Sequence, residues 1–486
     1  MSRLLRVTDV LLQDAELTEG RRADVRVAGG RVAEVAPALS RRPGEEAVDC
    51  RGGALLPGLV DHHLHLHALA AHRQSVRCGP PAVRDRAGLA AALASRAPDE
   101  HGWIRGVGYH ETVAGNLDAV ALDRIHPSHP VRVQHRSGAL WILNSRAAEA
   151  VSLSSGDHPG IERGADGAPT GRLWRADDWL RPRLPRTRPP ELAAVGAELA
   201  RLGVTSVTDA TPDLAAEALA AIADDMATGV LPQRVHLLGA PLDAPPAELS
   251  PRRPTVGPYK IVLADSGLPS LDDLVERIRA VHAAGRAVAA HVVTREALVL
   301  LLVALRESGG LPGDRIEHGA LVPRELIGDL AALGLRVVTQ PGFLADRGDD
   351  YARDVPARDH ADLYRCRSLV EGGVRLALSS DAPYGPLDPW AVIAAAVRRA
   401  TPAGHVLAAE ERLSPVAALN AYLAPADDPG GPPRRVRVGT VADLVLLHTG
   451  RAEALADPTA ESVRATLIGA ERDPAVSPCD HPCLRR

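Results

Sequence analysis

Short apolar runs recur along the middle of the chain at intervals that read as strands separated by helices. Strands are predicted at 203–210 (GVTSVTDA), 234–240, 259–265 (YKIVLAD), 287–293 (AVAAHVV), 315–320 (RIEHGA), 336–342 (RVVTQPG) and 375–382 (RLALSSDA). Helical spacing fills the intervals at 213–229, 269–285, 295–309, 323–333, 361–372 and 388–400. One more apolar run, 54–61, lacks alternation and ends in charge, which marks a buried strand. Eight strands in a βα series predict an α/β fold built on a (β/α)8 TIM-like barrel. A doubly wound sheet is the alternative, and it would gather catalytic groups at one crevice instead of at many strand ends.

The flanks follow a different rule. Residues 4–36 contain an alternating run about Gly29-Gly30, a hairpin signal, and two more strands are predicted at 439–447 and 462–468. Strands from the two ends can pair, which predicts a small β-sandwich domain from 1–53 plus 430–475, with the barrel at 54–75 plus 201–429. Residues 76–200 interrupt the βα series and hold four of the five tryptophans (Trp103, Trp141, Trp174, Trp179). An insertion after the first strand is expected to act as a lid domain. The segment 476–486 reads as a disordered tail, although Cys479, His481 and Cys483 sit close together in it.

Composition narrows the picture. A net charge of −5 gives no electrostatic case for nucleic acid or an anionic membrane surface. Aromatic residues make up 2%, so the core must be aliphatic, and no apolar run is long enough to span a bilayer. Met1 to Gly20 has no signal-peptide core, and five scattered cysteines suit a reducing compartment, so a cytoplasmic location is expected. Among 56 basic residues Lys260 is the one lysine. A background that replaces lysine with arginine wherever charge suffices points to a special need at 260. A buried lysine can lose its proton and act as a nucleophile or be modified, whereas arginine stays charged.

The stretch Pro57-Gly-Leu-Val-Asp-His-His-Leu-His65 carries the first candidate chemistry. Side chains two apart on a strand share a face, so His63 and His65 point together, with Asp61 and His67 of the same parity and His62 opposite. Two imidazoles so placed suit a divalent ion such as Zn²⁺. His291, His318 and Asp381 fall near the ends of later strands, and Lys260 falls early in its own. Strand ends of a barrel share one mouth, where these groups would converge.

The ordered motifs resemble the amidohydrolase superfamily, in particular its YtcJ-like (amidohydrolase-3) branch related to N-substituted formamide deformylases. They are PGLVDHHLH (57–65), GWIRGVGYHE (102–111), LDRIHPSHPVRVQHRSGALWILNS (122–145), PTG (169–171), GVTSVTDA (203–210) and YKIVLADSG (259–267). They continue with AAHVV (289–293), RIEHGALV (315–322), QPGFLADRGDDY (340–351), SSDAPYGPLDPW (379–390) and VGTVADLVLL (438–447). The resemblance implies that His63, His65 and Asp381 hold one metal ion, while His291 and His318 hold a second. It implies an N6-carboxylysine at Lys260 bridging the two, zinc as the metal, and a metal-activated hydroxide attacking a non-peptide C–N bond. Asp381 would take the proton and pass it to the leaving nitrogen. Without the carbamate, one metal would remain.

Substrate contacts are expected from Tyr109, His135, Arg136, Trp141, Gln340, Phe343 and Tyr384. The branch often carries Gly-His in the insertion, where this chain has Ser137-Gly138-Ala139, so its substrate is expected to differ from those of better-known members. A small-molecule substrate is expected, with a homodimer as the assembly carried forward. The same metals could instead serve a lyase, a decarboxylase or a lactone-type reaction, and a non-catalytic regulator is the third reading.

Overall fold

Parallel strands form the frame. A computed structural model of the chain describes residues 3–5, 9–17, 20–186, 188–244, 252–264 and 267–469. Its parallel strands are β1 Leu59–Leu64, β2 Val204–Asp209, β3 Arg234–Leu237, β4 Tyr259–Val262, β5 Val288–Val292, β6 Arg315–His318, β7 Arg336–Thr339 and β8 Arg375–Leu378. A short strand, Thr255–Val256, pairs with β3, which pairs with β2 and then β1; β4 to β8 pair in chain order in a second sheet. Main-chain bonds also cross between the two sheets. Lys260 N donates to Leu238 O (3.0 Å), Asp381 N to His63 O (2.8 Å) and His65 N to Ala382 O (2.9 Å).

The run expected as one strand at 54–61 is two elements in different sheets. Leu55–Pro57 pairs antiparallel with Leu444–Leu447, and β1 starts only after Gly58. A Cβ at Gly58 would lie 2.2 Å from both Cγ2 and Oγ1 of Thr205, so only glycine lets the chain cross there. Apolar continuity alone could not reveal that break. Later strands stop short of their apolar runs for a related reason. His318 (φ 72°), the last residue of β6, and Asp381 (φ 53°), beyond the end of β8, adopt left-handed backbone through which a strand does not continue.

Helices follow most strands. Leu271–Ala283 is capped by Ser270, whose hydroxyl oxygen accepts from Asp273 N (3.1 Å), and it buries Leu274, Val275, Ile278 and Val281. Arg295–Ser308 buries Leu298, Leu301, Leu302 and Leu305, each contributing roughly 1.5–3 kcal/mol on leaving water. The helix expected at 361–372 is limited to Arg367–Glu371 after a 3-10 segment, Ala357–Asp362. An unexpected helix, Gly342–Asp354, follows β7. Its two glycines, its acids and the non-helical Arg347 (φ −141°) obscure the periodicity in sequence.

The terminal segments form two four-stranded sheets. Arg22–Ala28 and Arg31–Ala36 make the hairpin about Gly29 and Gly30, both at positive φ, and Arg3–Leu5 pairs in parallel with Val463–Leu467. Val10, Leu12, Val25 and Val27 share one apolar cluster with Leu55, Leu444, Leu446 and Leu467.

By contact the chain divides into Met1–Leu66 with Glu191–Arg486, and His67–Pro190. The second unit holds its own six-stranded mixed sheet and two apolar clusters, one of which gathers Trp103, Trp141 and Trp179. Asp265, Ser266 and the tail with Cys479, His481 and Cys483 lie outside the described residues. No helix among the described residues is long and apolar enough to cross a membrane.

Candidate metal centre

His63 lies on β1, His65 one residue past its end, and Asp381 three residues past β8. One ligand atom from each lies within 4.8 Å of the other two. Asp381 Oδ1 is 3.5 Å from His63 Nε2 and 3.3 Å from His65 Nε2. Both His63 Nε2 and Asp381 Oδ1 are buried without a hydrogen-bond partner. Such atoms cost free energy unless something occupies the space between them. Two imidazole nitrogens and a carboxylate oxygen are a donor set suited to a divalent cation, so the residues fit one.

The other ring nitrogens explain why these atoms are left over. His63 Nδ1 donates to the carboxylate of Glu317, which is held in turn by the Arg315 guanidinium. His65 Nδ1 lies 3.1 Å from the Thr211 hydroxyl, and His318 Nδ1 donates to Gln340 Oε1 at 2.9 Å. Each partner fixes the ring so that Nε2 remains for a metal. Gln340 Nε2 donates to Ser379 Oγ (2.9 Å), which locks its amide orientation. Asp61 accepts from the main-chain N–H of His63 (3.2 Å) and of Ser380 (3.1 Å), tying β1 to the segment that carries Asp381.

His318 and Lys260 complete the cluster. The His318 ring lies 4.8 Å from that of His63 and 4.5 Å from that of His291. Glu317 and His318 are adjacent yet both approach His63, which strict alternation forbids; the left-handed backbone at His318 permits it. Lys260 is 3% exposed, second in β4 and in register with Ala289, two residues below His291. Lys260 has no ion pair among the described residues, although Glu317 and Asp381 act on it electrostatically.

Electrostatics match this arrangement. Burial holds His63 and His318 well below the usual histidine range, with Lys260 adding to the effect at His63 and His291 at His318. Neutral imidazoles are the ligating form. Burial also brings Lys260 down to about 8, against the pull of Glu317 and Asp381. At Glu317 burial pushes the carboxyl up, but Arg315 and Lys260 outweigh it and leave it low. Asp61 is raised to about 7 by burial. His62 faces away: both of its ring nitrogens are buried and without a hydrogen-bond partner, and its carbonyl accepts from Arg315 Nη2 (2.8 Å).

A model of the amidohydrolase family (Amidohydro_3) matches residues 46–471. The chain belongs to the amidohydrolase family. It is 26% identical to an N-substituted formamide deformylase of Arthrobacter pascens, over 87% of this chain and 89% of that protein. It is also 26% identical to the putative amidohydrolase YtcJ of Bacillus subtilis, over 74% of this chain and 75% of that one. Its fold is similar to that of an uncharacterized metal-dependent hydrolase from Pyrococcus horikoshii, with a TM-score of 0.74 and 20% identity, covering 94% of this chain and 99% of the other.

The expected substrate contacts of this amidohydrolase fall in both units. Phe343 is buried against the Tyr364 ring (5.8 Å) with the Arg347 guanidinium 4.5 Å from its own, and the Tyr384 ring is 5.6 Å from that of His65. In the second unit, Tyr109 Oη donates to Gly115 O (2.6 Å) and Trp141 Nε1 to Asp177 (2.9 Å). His135 Nε2 is 3.2 Å from Glu111, and Arg136 N donates to Tyr109 O (2.9 Å). Sequence reasoning missed Glu317, Arg315 and Thr211. Position 317 directly precedes an expected ligand, so a period of two assigns the two to opposite faces, and only the left-handed backbone at His318 lets both approach His63.

Proposed function

We propose that the chain is a metal-dependent amidohydrolase that cleaves a non-peptide C–N bond of a small amide or formamide. The observation that carries this reading is the unpartnered pair His63 Nε2 and Asp381 Oδ1 beside His65 Nε2. A divalent ion, zinc by its donor set, would polarise a scissile carbonyl and bring the pKa of a water molecule from 15.7 to about 7. Asp381 accepts the proton of the attacking water and returns it to the leaving nitrogen. Glu317 keeps His63 in the Nδ1–H form throughout. A closed (β/α)8 barrel is the architecture behind this reading, supported by the parallel pairings and the main-chain bonds between the two sheets.

Lys260 as an N6-carboxylysine, with His291 and His318, would hold a second ion. Its burial without an ion pair supports this, because an uncompensated ammonium is costly there and a carbamate gives two oxygens to cations. The formamide class comes from the deformylase similarity, and Tyr384, whose ring lies 5.6 Å from that of His65, offers an aromatic wall for such a substrate. The test is elemental analysis of purified protein with turnover on a panel of N-substituted formamides, amides, lactones and β-keto acids. Metal bound in His63-dependent fashion and amine release from the formamides or amides is the expected result. Turnover confined to the lactones or acids, or no metal, overturns it.

A further inference from the structure

The opposite ends of the same strands border a second site. A cavity of about 1140 Å³ is lined by Val60 of β1, Ser206 of β2 and Arg234, Val235 and His236 of β3, all near strand starts, and by segment 425–444. Val60 precedes His63 by three residues, roughly 10 Å along a strand, and the cavity shares no residue with the metal centre. Six guanidinium groups line it: Arg31, Arg234, Arg253, Arg434, Arg435 and Arg437. Among the described residues its lining carboxylates are Asp427 and Asp443, in a chain whose net charge is −5.

Three of these guanidinium groups, those of Arg253, Arg434 and Arg437, have no carboxylate partner among the described residues. Arg234 Nε donates to Asp443 (2.7 Å). Arg434 bonds only carbonyl oxygens among the described residues, those of Leu423 (3.1 Å) and Gly58. Burial lowers its pKa and Arg234 adds to that effect, partly offset by Asp443. Arg253 and Arg437 have no side-chain ion pair among the described residues. His236 is 5% exposed, its Nδ1 is 2.8 Å from the Thr255 hydroxyl, and its Nε2 is buried without a partner. An apolar wall of Val60, Val235, Val256, Pro433 and Leu444 faces this charge.

We propose that this cavity binds a small organic phosphate. Guanidinium forks match phosphate oxygens in pairs, which the clustered arginines provide. The volume exceeds the usual range of about 300–1,000 Å³ for ligand pockets, so there is room for a ring-bearing body against the apolar wall. The proposal does not depend on the hydrolase reading, because it is tested by direct binding.

Calorimetric titration of the full chain as purified with AMP, inorganic phosphate, adenosine and benzoate decides it. AMP is expected to bind saturably and more tightly than phosphate, to bind more weakly as salt rises, and to outbind adenosine and benzoate by about tenfold or more. An Arg253→Ala/Arg437→Ala double variant, folded by circular dichroism, should lose about tenfold in AMP affinity. Absence of AMP binding, equal binding of adenosine or benzoate, or unchanged affinity in the folded double variant overturns the proposal.

Discussion

One set of parallel strands meets buried charge in opposite ways at its two ends. At the C-terminal ends, His63, His65 and His318 are engaged at Nδ1, and the carboxylates of Glu317 and Asp61 are balanced by Arg315 and by main-chain N–H groups. What remains is a small set of electron-pair donors, His63 Nε2 and Asp381 Oδ1 beside His65 Nε2, that suits a cation. At the N-terminal ends, guanidinium groups outnumber carboxylates and Arg434 finds only carbonyls among the described residues. There the uncompensated groups are N–H donors, which favour an anion. Pairing the second atom of each ligand determines what the first can bind.

That contrast can be broken at defined places. Asp381→Asn should remove both a ligand and the proton carrier, lowering kcat/KM by about 10²–10⁴-fold on the formamide panel. Turnover within a few-fold of wild type would place the chemistry elsewhere. Lys260→Ala should cost about 10²-fold or more, with partial recovery in added acetate or propionate because a small carboxylate can take the place of a carbamate. Loss without any rescue would favour a plain lysine and a single ion. Glu317→Gln keeps the shape but weakens the hold on His63, so metal affinity measured by chelator competition should fall about 10–100-fold with the fold intact. An unchanged affinity would make that carboxylate only a partner for Arg315.

The smallest effect is expected near the strand starts. Gly58→Ala forces a methyl group into Thr205 and should destabilise the fold by about 1–3 kcal/mol in denaturant titration. Metal content of the fraction that remains folded should not change, since the ligands lie beyond this contact. A loss of metal in that fraction would show that the two ends are coupled through β1.

The grouping of His63, His65 and Asp381 was legible in sequence because these residues sit on or just past strands whose apolar runs are unmistakable. His63 and His65 share parity, and His291, His318 and Asp381 follow comparable runs. Lys260 stood out through a compositional bias, not through its neighbours. The helix at Gly342–Asp354 escaped because glycines and a kink at Arg347 erase its periodicity. The arginine cavity escaped because its walls come from positions as distant as 31, 253 and 434, none carrying a motif.

Linear order therefore determined the βα series, the kinds of ligand and the strand ends that bear them, since apolar periodicity and side-chain parity are local properties. Tertiary structure decided which nitrogen of each imidazole stays available, that Glu317 turns towards His63, and that Gly58 divides one apolar run between two sheets. Those outcomes depend on atoms from other strands: a tautomer follows from the partner across the sheet, and a chain break from what packs against it.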